Sequence, residues 1–441
     1  MRKVLFALLL GIFLTSLPVS HAARSAAAPP NVVFIISDDQ GWQDYGFMGH
    51  PHIQTPQLDK LAKQSLLFKR GYVPTALCSP SLASIITGRY PHEHLITYND
   101  PPAPPGGKVG QWRQRPEYIA AWDEMRSFIT RVPTLPRLLE QRGYLSFQTG
   151  KWWLGSAGNG GFTDGMTHGD RTRGGRHGDV GLEIGRQTMQ PVFDFLGKAK
   201  QTGKPFFLWY APMLPHSPHT APQRLIDKYK AVAPSLEHAR YWASVEWFDE
   251  TCGQLLDQLE RNGQAQNTIV VYVTDNGWVQ GATGDAISVR SKRTPYDAGT
   301  RTPLLVRWPG KVKPRTSPEL ASSLDLLPTV LAAVGVPAPA EMPGLNLLDD
   351  KAVKARRTLY GECFTHDAVD LRNPAANLYS RWIIDGEWKL IVPSGLPHDE
   401  GPKETELYHL SADPQEQTNL AAQQPQRVTD LRRKLDAWWR P

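Results

Sequence analysis

At 441 residues, with 40% hydrophobic and 21% charged residues, the chain can bury a large core and divide into two or three domains. That composition excludes a disordered or fibrous architecture for the chain as a whole. The formal net charge of +6 is spread along the sequence rather than gathered into a basic stripe, so no nucleic-acid partner is expected. Mild basicity suits an anionic substrate equally well and decides nothing alone.

Arg2 and Lys3 precede the apolar run 4–14, and Ser20-His21-Ala22 places small residues where a signal peptidase cuts. The run is shorter than the roughly 20 residues a membrane span needs. It predicts a signal peptide over 1–22, an Ala/Pro-rich linker over 23–30 and a periplasmic or secreted mature protein. No later segment is long and apolar enough to span a membrane. The stretch Asn31–Ser37 is continuously apolar and β-branched, the pattern of a strand buried on both faces of a mostly parallel sheet. Segments 205–211 and 268–274 repeat it, with helical patterns at 57–65, 134–142 and 240–262. This alternation predicts a three-layer α/β domain over 31–355.

Two stretches read as irregular. The Pro/Gly-rich segment 98–110 reads as a long surface loop. Segment 155–185, dense in Gly, His, Asp and Arg, reads either as a specificity loop or as a solvated insertion. From about Thr358 the character changes. Segment 381–392 predicts two strands joined by an Asp-Gly turn, 406–410 another short strand and 424–439 a helix. A small α+β domain with an antiparallel sheet is therefore expected over 356–441.

Three strand ends carry polar clusters: Asp38-Asp39-Gln40-Gly41, Pro215-His216 and Asp275-Asn276-Gly277. Open α/β sheets bind ligands at the carboxyl ends of their strands, so all three are aimed at one region. Asp38, Asp39, Asp275 and Asn276 offer only oxygen donors, which suits a hard cation such as Ca²⁺ or Mg²⁺ rather than Zn²⁺. Local capping of helices and turns is the competing reading. The three cysteines are Cys78, Cys252 and Cys363, which allows one pair plus a special residue or three buried thiols. Cys78 lies in a turn that leads into a helix beginning near Pro80, whose positive end favours an anion. A buried structural cysteine is the alternative.

Cys78-Ser-Pro-Ser81, followed by Thr87-Gly88-Arg89, resembles the signature of the type I sulfatases, Cys-x-Pro-Ser-Arg with a downstream Thr-Gly. Asp38-Asp39-Gln40-Gly41 and Thr274-Asp275-Asn276-Gly277 resemble that family's two calcium-binding motifs. Gly150-Lys151-Trp152-Trp153-Leu154-Gly155 is similar to its Gly-Lys-Trp-His-Leu-Gly, and segment 211–219, with His216 and His219, to its Pro-His-x-Pro block. Segment 292–303 is similar to Lys-x-Thr-x-Tyr-Glu-Gly-Gly-x-Arg-x-Pro, with Asp297-Ala298-Gly299 in place of Glu-Gly-Gly. Segment 406–420 resembles the C-terminal signature.

The resemblance implies an alkaline-phosphatase-like fold and hydrolysis of a sulfate monoester, with a sulfated carbohydrate as substrate. It implies that a formylglycine-generating enzyme converts Cys78 to formylglycine (3-oxoalanine), and that one Ca²⁺ is held by Asp38, Asp39, Asp275, Asn276 and residue 78. The gem-diol at position 78 would attack sulfur to give a covalent sulfo-enzyme intermediate, with the cation as Lewis acid and template. Lys151 and Lys292 would bind sulfate oxygens, and His216 would hydrogen-bond or protonate the departing oxygen.

Two positions depart from the family pattern. Leu82 stands where the signature has Arg, and Trp153 stands where the Lys-Trp-His motif has the His that acts as a base. Leucine carries no donor, and an indole N–H only donates. Three explanations are open: a variant mechanism in which His168 or His177 replaces the lost base, hydrolysis of a phosphate or phosphonate ester, or an unmodified Cys78 in a calcium-containing glycan-binding protein. Trp112, Trp122 and Trp153 are each open to stacking on sugar rings or to buried packing.

Overall fold

The structure, a computed structural model, describes residues 28–104, 113–170, 179–283, 287–396 and 401–441. Its main sheet has eight strands in the order β4-β3-β5-β1-β6-β7-β2-β8. These are β1 (Asn31–Ser37), β2 (Leu66–Tyr72), β3 (Leu145–Gly150), β4 (Asp164–Gly165), β5 (Phe206–Ala211), β6 (Thr268–Thr274), β7 (Arg301–Arg307) and β8 (Arg315–Ser322). Only β7 runs against its neighbours β6 and β2; the other pairings are parallel.

The continuous apolarity of β1 follows from what covers it. Val32, Phe34 and Ile36 enter one core with the helices Cys78–Thr87, Pro116–Ser127 and Leu326–Val334. Val33 and Ile35 enter a second core, on the opposite face, with Pro56–Lys63, Gln190–Thr202 and Leu236–Arg261. Successive side chains of a strand point to opposite faces, so helices on both sides make the expected three-layer α/β sandwich.

The second sheet, in the order β12-β11-β10-β9, is antiparallel. It comprises β9 (Thr358–Phe364), β10 (Leu378–Asp385), β11 (Trp388–Pro393) and β12 (Glu406–His409). Gly386 takes the left-handed backbone, φ 63°, that the tight turn between β10 and β11 requires. One face of this sheet packs Trp382, Ile384 and Ile391 against Tyr72, Tyr296 and Leu320 of the large layer. The other packs Ile383, Leu390 and Leu407 against Leu431 and Leu435 of the helix Pro425–Trp438.

One expectation needs correction, and two open readings are decided. Tyr98, Asn99 and Asp100, read as the start of a surface loop, are buried, because the β9–β10 connection lies over them. All three cysteines are free and buried: Cys78, Cys252 and Cys363 sit in three different core clusters, so no pair forms. Trp122 and Trp153 are core residues, unavailable to stack on a sugar. Trp112, His177 and the segment 1–22 lie outside the described residues. Among the described residues, no helix is long and apolar enough to cross a membrane.

Candidate active site

Strand register assembles the site. β1 and β6 pair in parallel with Ser37 opposite Thr274, so Asp38-Asp39 and Asp275-Asn276 leave the sheet side by side. β5 lies on the other flank of β1, and β3 beyond it pairs Gly150 with Ala211. Gly150 has φ 75°, and a Cβ there would collide with the Ala211 carbonyl. Glycine therefore permits the turn in which the Lys151 N–H donates to Ala211 O at 2.6 Å and the side chain heads for Asp38.

Lys151 Nζ donates to Asp38 Oδ1 at 2.6 Å and lies 3.7 Å from Asp275 Oδ2. Lys292, from the loop ahead of β7, reaches both oxygens of Asp39, at 2.7 and 2.8 Å. Asn276 Nδ2 donates to Asp39 Oδ1 at 2.7 Å. Asp275 Oδ1 accepts from the backbone N–H groups of Asp39 and Asn276 at 3.1 and 2.7 Å. His216 Nδ1 donates to the Ser217 carbonyl at 2.6 Å, which leaves Nε2 facing Asp39 Oδ2 at 3.4 Å. Asp39 holds a left-handed φ of 59°, a conformation that persists because these bonds fix both its ends.

Cys78 opens the helix Cys78–Thr87. Its sulfur and one oxygen each from Asp38, Asp39 and Asp275 lie within 4.8 Å of one another, and all four residues are buried. The eight residues singled out in the sequence thus converge on one pocket: Asp38, Asp39, Cys78, Lys151, His216, Asp275, Asn276 and Lys292.

The pocket's electrostatics test whether a cation belongs there. Asp38 Oδ2, Asp275 Oδ2 and Asn276 Oδ1 are buried without a hydrogen-bond partner. Each such atom costs about 1–3 kcal/mol, so three together call for a ligand. All are hard oxygens, the donor type Ca²⁺ takes. Three carboxylates face two ammonium groups, and a divalent cation would leave one positive charge, the complement of a sulfate monoester.

Protonation follows the same crowding. Burial, and after it Asp38, push Asp275 well above the carboxylate range. Burial opposes the charge on Asp39 too, yet Lys292, His216 and Lys151 hold its carboxyl well below the usual range. Burial lowers His216 against the pull of Asp38 and Asp39. Burial also pushes the Cys78 thiol up to about 11 in spite of Lys151 and Lys292, so as a thiol it is protonated at neutral pH.

The two departures are buried in the core cluster that also holds Cys78. Leu82, one helical turn from Cys78, is buried in the same core as Trp153. Lys151 Nζ lies 5.7 Å from the centroid of the Trp153 ring. His168, a candidate substitute base, is exposed, and its backbone N–H donates to Asp179. Other residues of the site carried no sequence signal. Arg186 donates to the carbonyls of Met213, His216 and Pro218 at 2.5–3.1 Å and so sets the loop that bears His216. Asn99 accepts the Ser79 N–H at 2.9 Å, next to Cys78.

Behind the Cys78–Thr87 helix, His94 Nδ1 accepts from the Ile96 N–H and its Nε2 donates to Ser84 Oγ, both at 3.1 Å. Burial holds its pKa at about 3. The unfolded chain takes up this proton below about pH 6.5 while the folded protein does not, so stability present above that pH is lost as pH falls towards 3. At pH 4.5 the loss is about 2.7 kcal/mol. Urea unfolding at pH 7.5 and 4.5 checks this: the pH-dependent share disappears in His94→Gln, whatever that variant's stability at pH 7.5.

Residues 30–336 match the family model described as Sulfatase, and residues 288–438 that described as N-sulphoglucosamine sulphohydrolase, C-terminal. The chain therefore belongs to the sulfatase family. It is 28% identical over 368 residues to N-acetylgalactosamine-6-sulfatase of Canis lupus familiaris, covering 74% of this chain. It is 29% identical over 364 residues to arylsulfatase A of Homo sapiens, covering 72% of this chain. Each match spans 66% of the relative's own length, just under two thirds. Among solved structures, Ps i-CgsB, also determined with k-i-k-neocarrahexaose, superposes with a TM-score of 0.74 at 23% identity over 93% of each chain. That likeness is one of fold.

Proposed function

We propose that this protein hydrolyses a sulfate monoester on a carbohydrate, using a formylglycine made from Cys78 and one Ca²⁺ held by Asp38, Asp39, Asp275, Asn276 and residue 78. The observation that carries the reading is the buried cluster beside Cys78, in which three oxygens lack a hydrogen-bond partner while two lysines supply positive charge. The names of the relatives, N-acetylgalactosamine-6-sulfatase and arylsulfatase A, support a sulfate ester, and the first of them a sugar. Residues 31–355 form the catalytic domain, and residues 356–441 close one side of the cleft.

When bound, the cation polarises the ester and orients the oxygen nucleophile of the modified residue 78. Lys151 and Lys292 neutralise sulfate oxygens as buried, fully charged ammonium groups. His216, fixed through Nδ1, presents Nε2 to the leaving oxygen; with Nδ1 already donating to Ser217, it gives that oxygen a proton as the imidazolium.

Peptide mass spectrometry with iodoacetamide labelling, on protein from a host that makes formylglycine, reads the state of residue 78. Conversion together with aryl sulfate turnover is the expected result. An alkylated Cys78 with calcium still bound would make this a binding protein, and faster turnover of aryl phosphates would change the substrate class. Calcium is expected to stabilise the fold by about 2.7 kcal/mol at 100-fold above its Kd. Adding EGTA should lower Tm, calcium should restore it, and Asp275→Asn should remove the response.

A further inference from the structure

The β9–β10 connection crosses the segment 97–100 and is stitched to it. The Asn99 N–H donates to His366 O and the Ala368 N–H to Asp100 O, both at 2.9 Å, and Asn377 Nδ2 donates to Thr97 Oγ1 at 2.9 Å. At this crossing Asn99, 2% exposed, turns its carboxamide towards the helix that begins at Cys78. Its Oδ1 accepts the Ser79 N–H at 2.9 Å, one of the first-turn N–H groups that have no partner within a helix.

With the oxygen so committed, Asn99 Nδ2 faces His366 Nε2 at 3.3 Å. An amide nitrogen only donates, so Nε2 accepts and the imidazole proton sits on Nδ1, which donates to Asp367 Oδ1 at 2.6 Å. Asp367, His366, Asn99 and the Ser79 N–H therefore form one directed chain. It runs from the residue after Cys78, through a histidine side chain 28% exposed, to Asp367.

We propose that His366 is a positioning residue for the nucleophile at position 78. Oriented by Asp367, it holds the Asn99 carboxamide that pins the first turn of the Cys78–Thr87 helix, and so couples the small sheet to the reacting group. The inference rests on the sulfatase reading. A displacement of about 1 Å at reacting atoms costs up to about a hundredfold in rate. The groups that bind sulfate are not part of the chain, so the loss falls on kcat.

His366→Ala should lower kcat on an aryl sulfate about tenfold or more, with KM within about twofold. His366→Gln, whose amide oxygen can accept where Nε2 stands, should recover most of the loss, and the shorter His366→Asn should not. Asn99→Ala should cost as much as His366→Ala, and the double variant no more than either. A rise in KM with kcat kept, or losses that multiply in the double variant, would overturn the proposal. Amide hydrogen exchange of the peptide holding Ser79 reads the same link without turnover: faster in His366→Ala, as wild type in His366→Gln. If the wild type hydrolyses no sulfate ester, the sulfatase reading fails and exchange alone decides. Unchanged protection in His366→Ala would then overturn the proposal.

Discussion

Cys78→Ala should lower kcat on an aryl sulfate by about 10⁴-fold or more while leaving the fold and the calcium response in place. The substitution removes one atom from a residue that is 1% exposed at the first position of its helix. Lys151 stays on Asp38 and Lys292 on Asp39, because neither ion pair involves residue 78. Four oxygen-bearing side chains remain for the cation, so EGTA should still lower Tm in the variant. Burial keeps the unmodified thiol protonated at neutral pH, which makes an ordinary cysteine a poor nucleophile in this pocket. Steady-state kinetics beside thermal denaturation, each with and without calcium, separates loss of chemistry from loss of structure. Turnover retained in Cys78→Ala would remove residue 78 from the reaction.

The sequence made the centre of this molecule readable for a physical reason. β1, β5 and β6 are covered on both faces, so their apolar runs are unbroken, and the polar residues that follow mark where each strand leaves the sheet. Parallel register then brings Asp38, Asp39, Asp275 and Asn276 together without any further device. Contacts between distant segments were not readable. β2 pairs with β8 some 250 residues away, and no local pattern announces it. Asn99 lies in a Pro/Gly-rich stretch that looks solvated, but residues 365–377 bury its start. Arg186 serves the His216 loop by reaching backbone carbonyls, and carbonyls leave no trace in a sequence. The odd cysteine count left a pair or three buried thiols open, and it is the second that holds, each thiol packed as a small apolar group in its own cluster.

The largest single-residue loss of stability should come from Lys389→Met, at about 3–5 kcal/mol. Lys389, on β11, is fully buried, and its Nζ lies 2.9 Å from both Asp297 Oδ1 and Glu416 Oε1. Glu416 Oε2 accepts the Asp297 N–H at 2.5 Å, and Asp297 Oδ2 accepts from Tyr72 OH at 3.1 Å. The lysine thus joins the small sheet to the turn Asp297–Thr300, which follows the loop bearing Lys292. Methionine keeps most of the volume, so the loss reports two buried carboxylates deprived of their shared lysine, with Arg301 at 3.5 Å the cation that remains beside Asp297. Burial already raises Glu416 to about 7 even with Lys389 present, and without the lysine the folded state favours the protonated form of Glu416 further. A carboxyl whose folded pKa exceeds its unfolded value stabilises below the unfolded pKa and loses that stability as pH rises. Lys389→Met should therefore be less destabilised at pH 5 than at pH 8 in urea unfolding. Adding Asp297→Asn and Glu416→Gln should return most of the loss at pH 8. A deficit equal at both pH values, and unrelieved by the two neutral substitutions, would assign it to packing instead of charge.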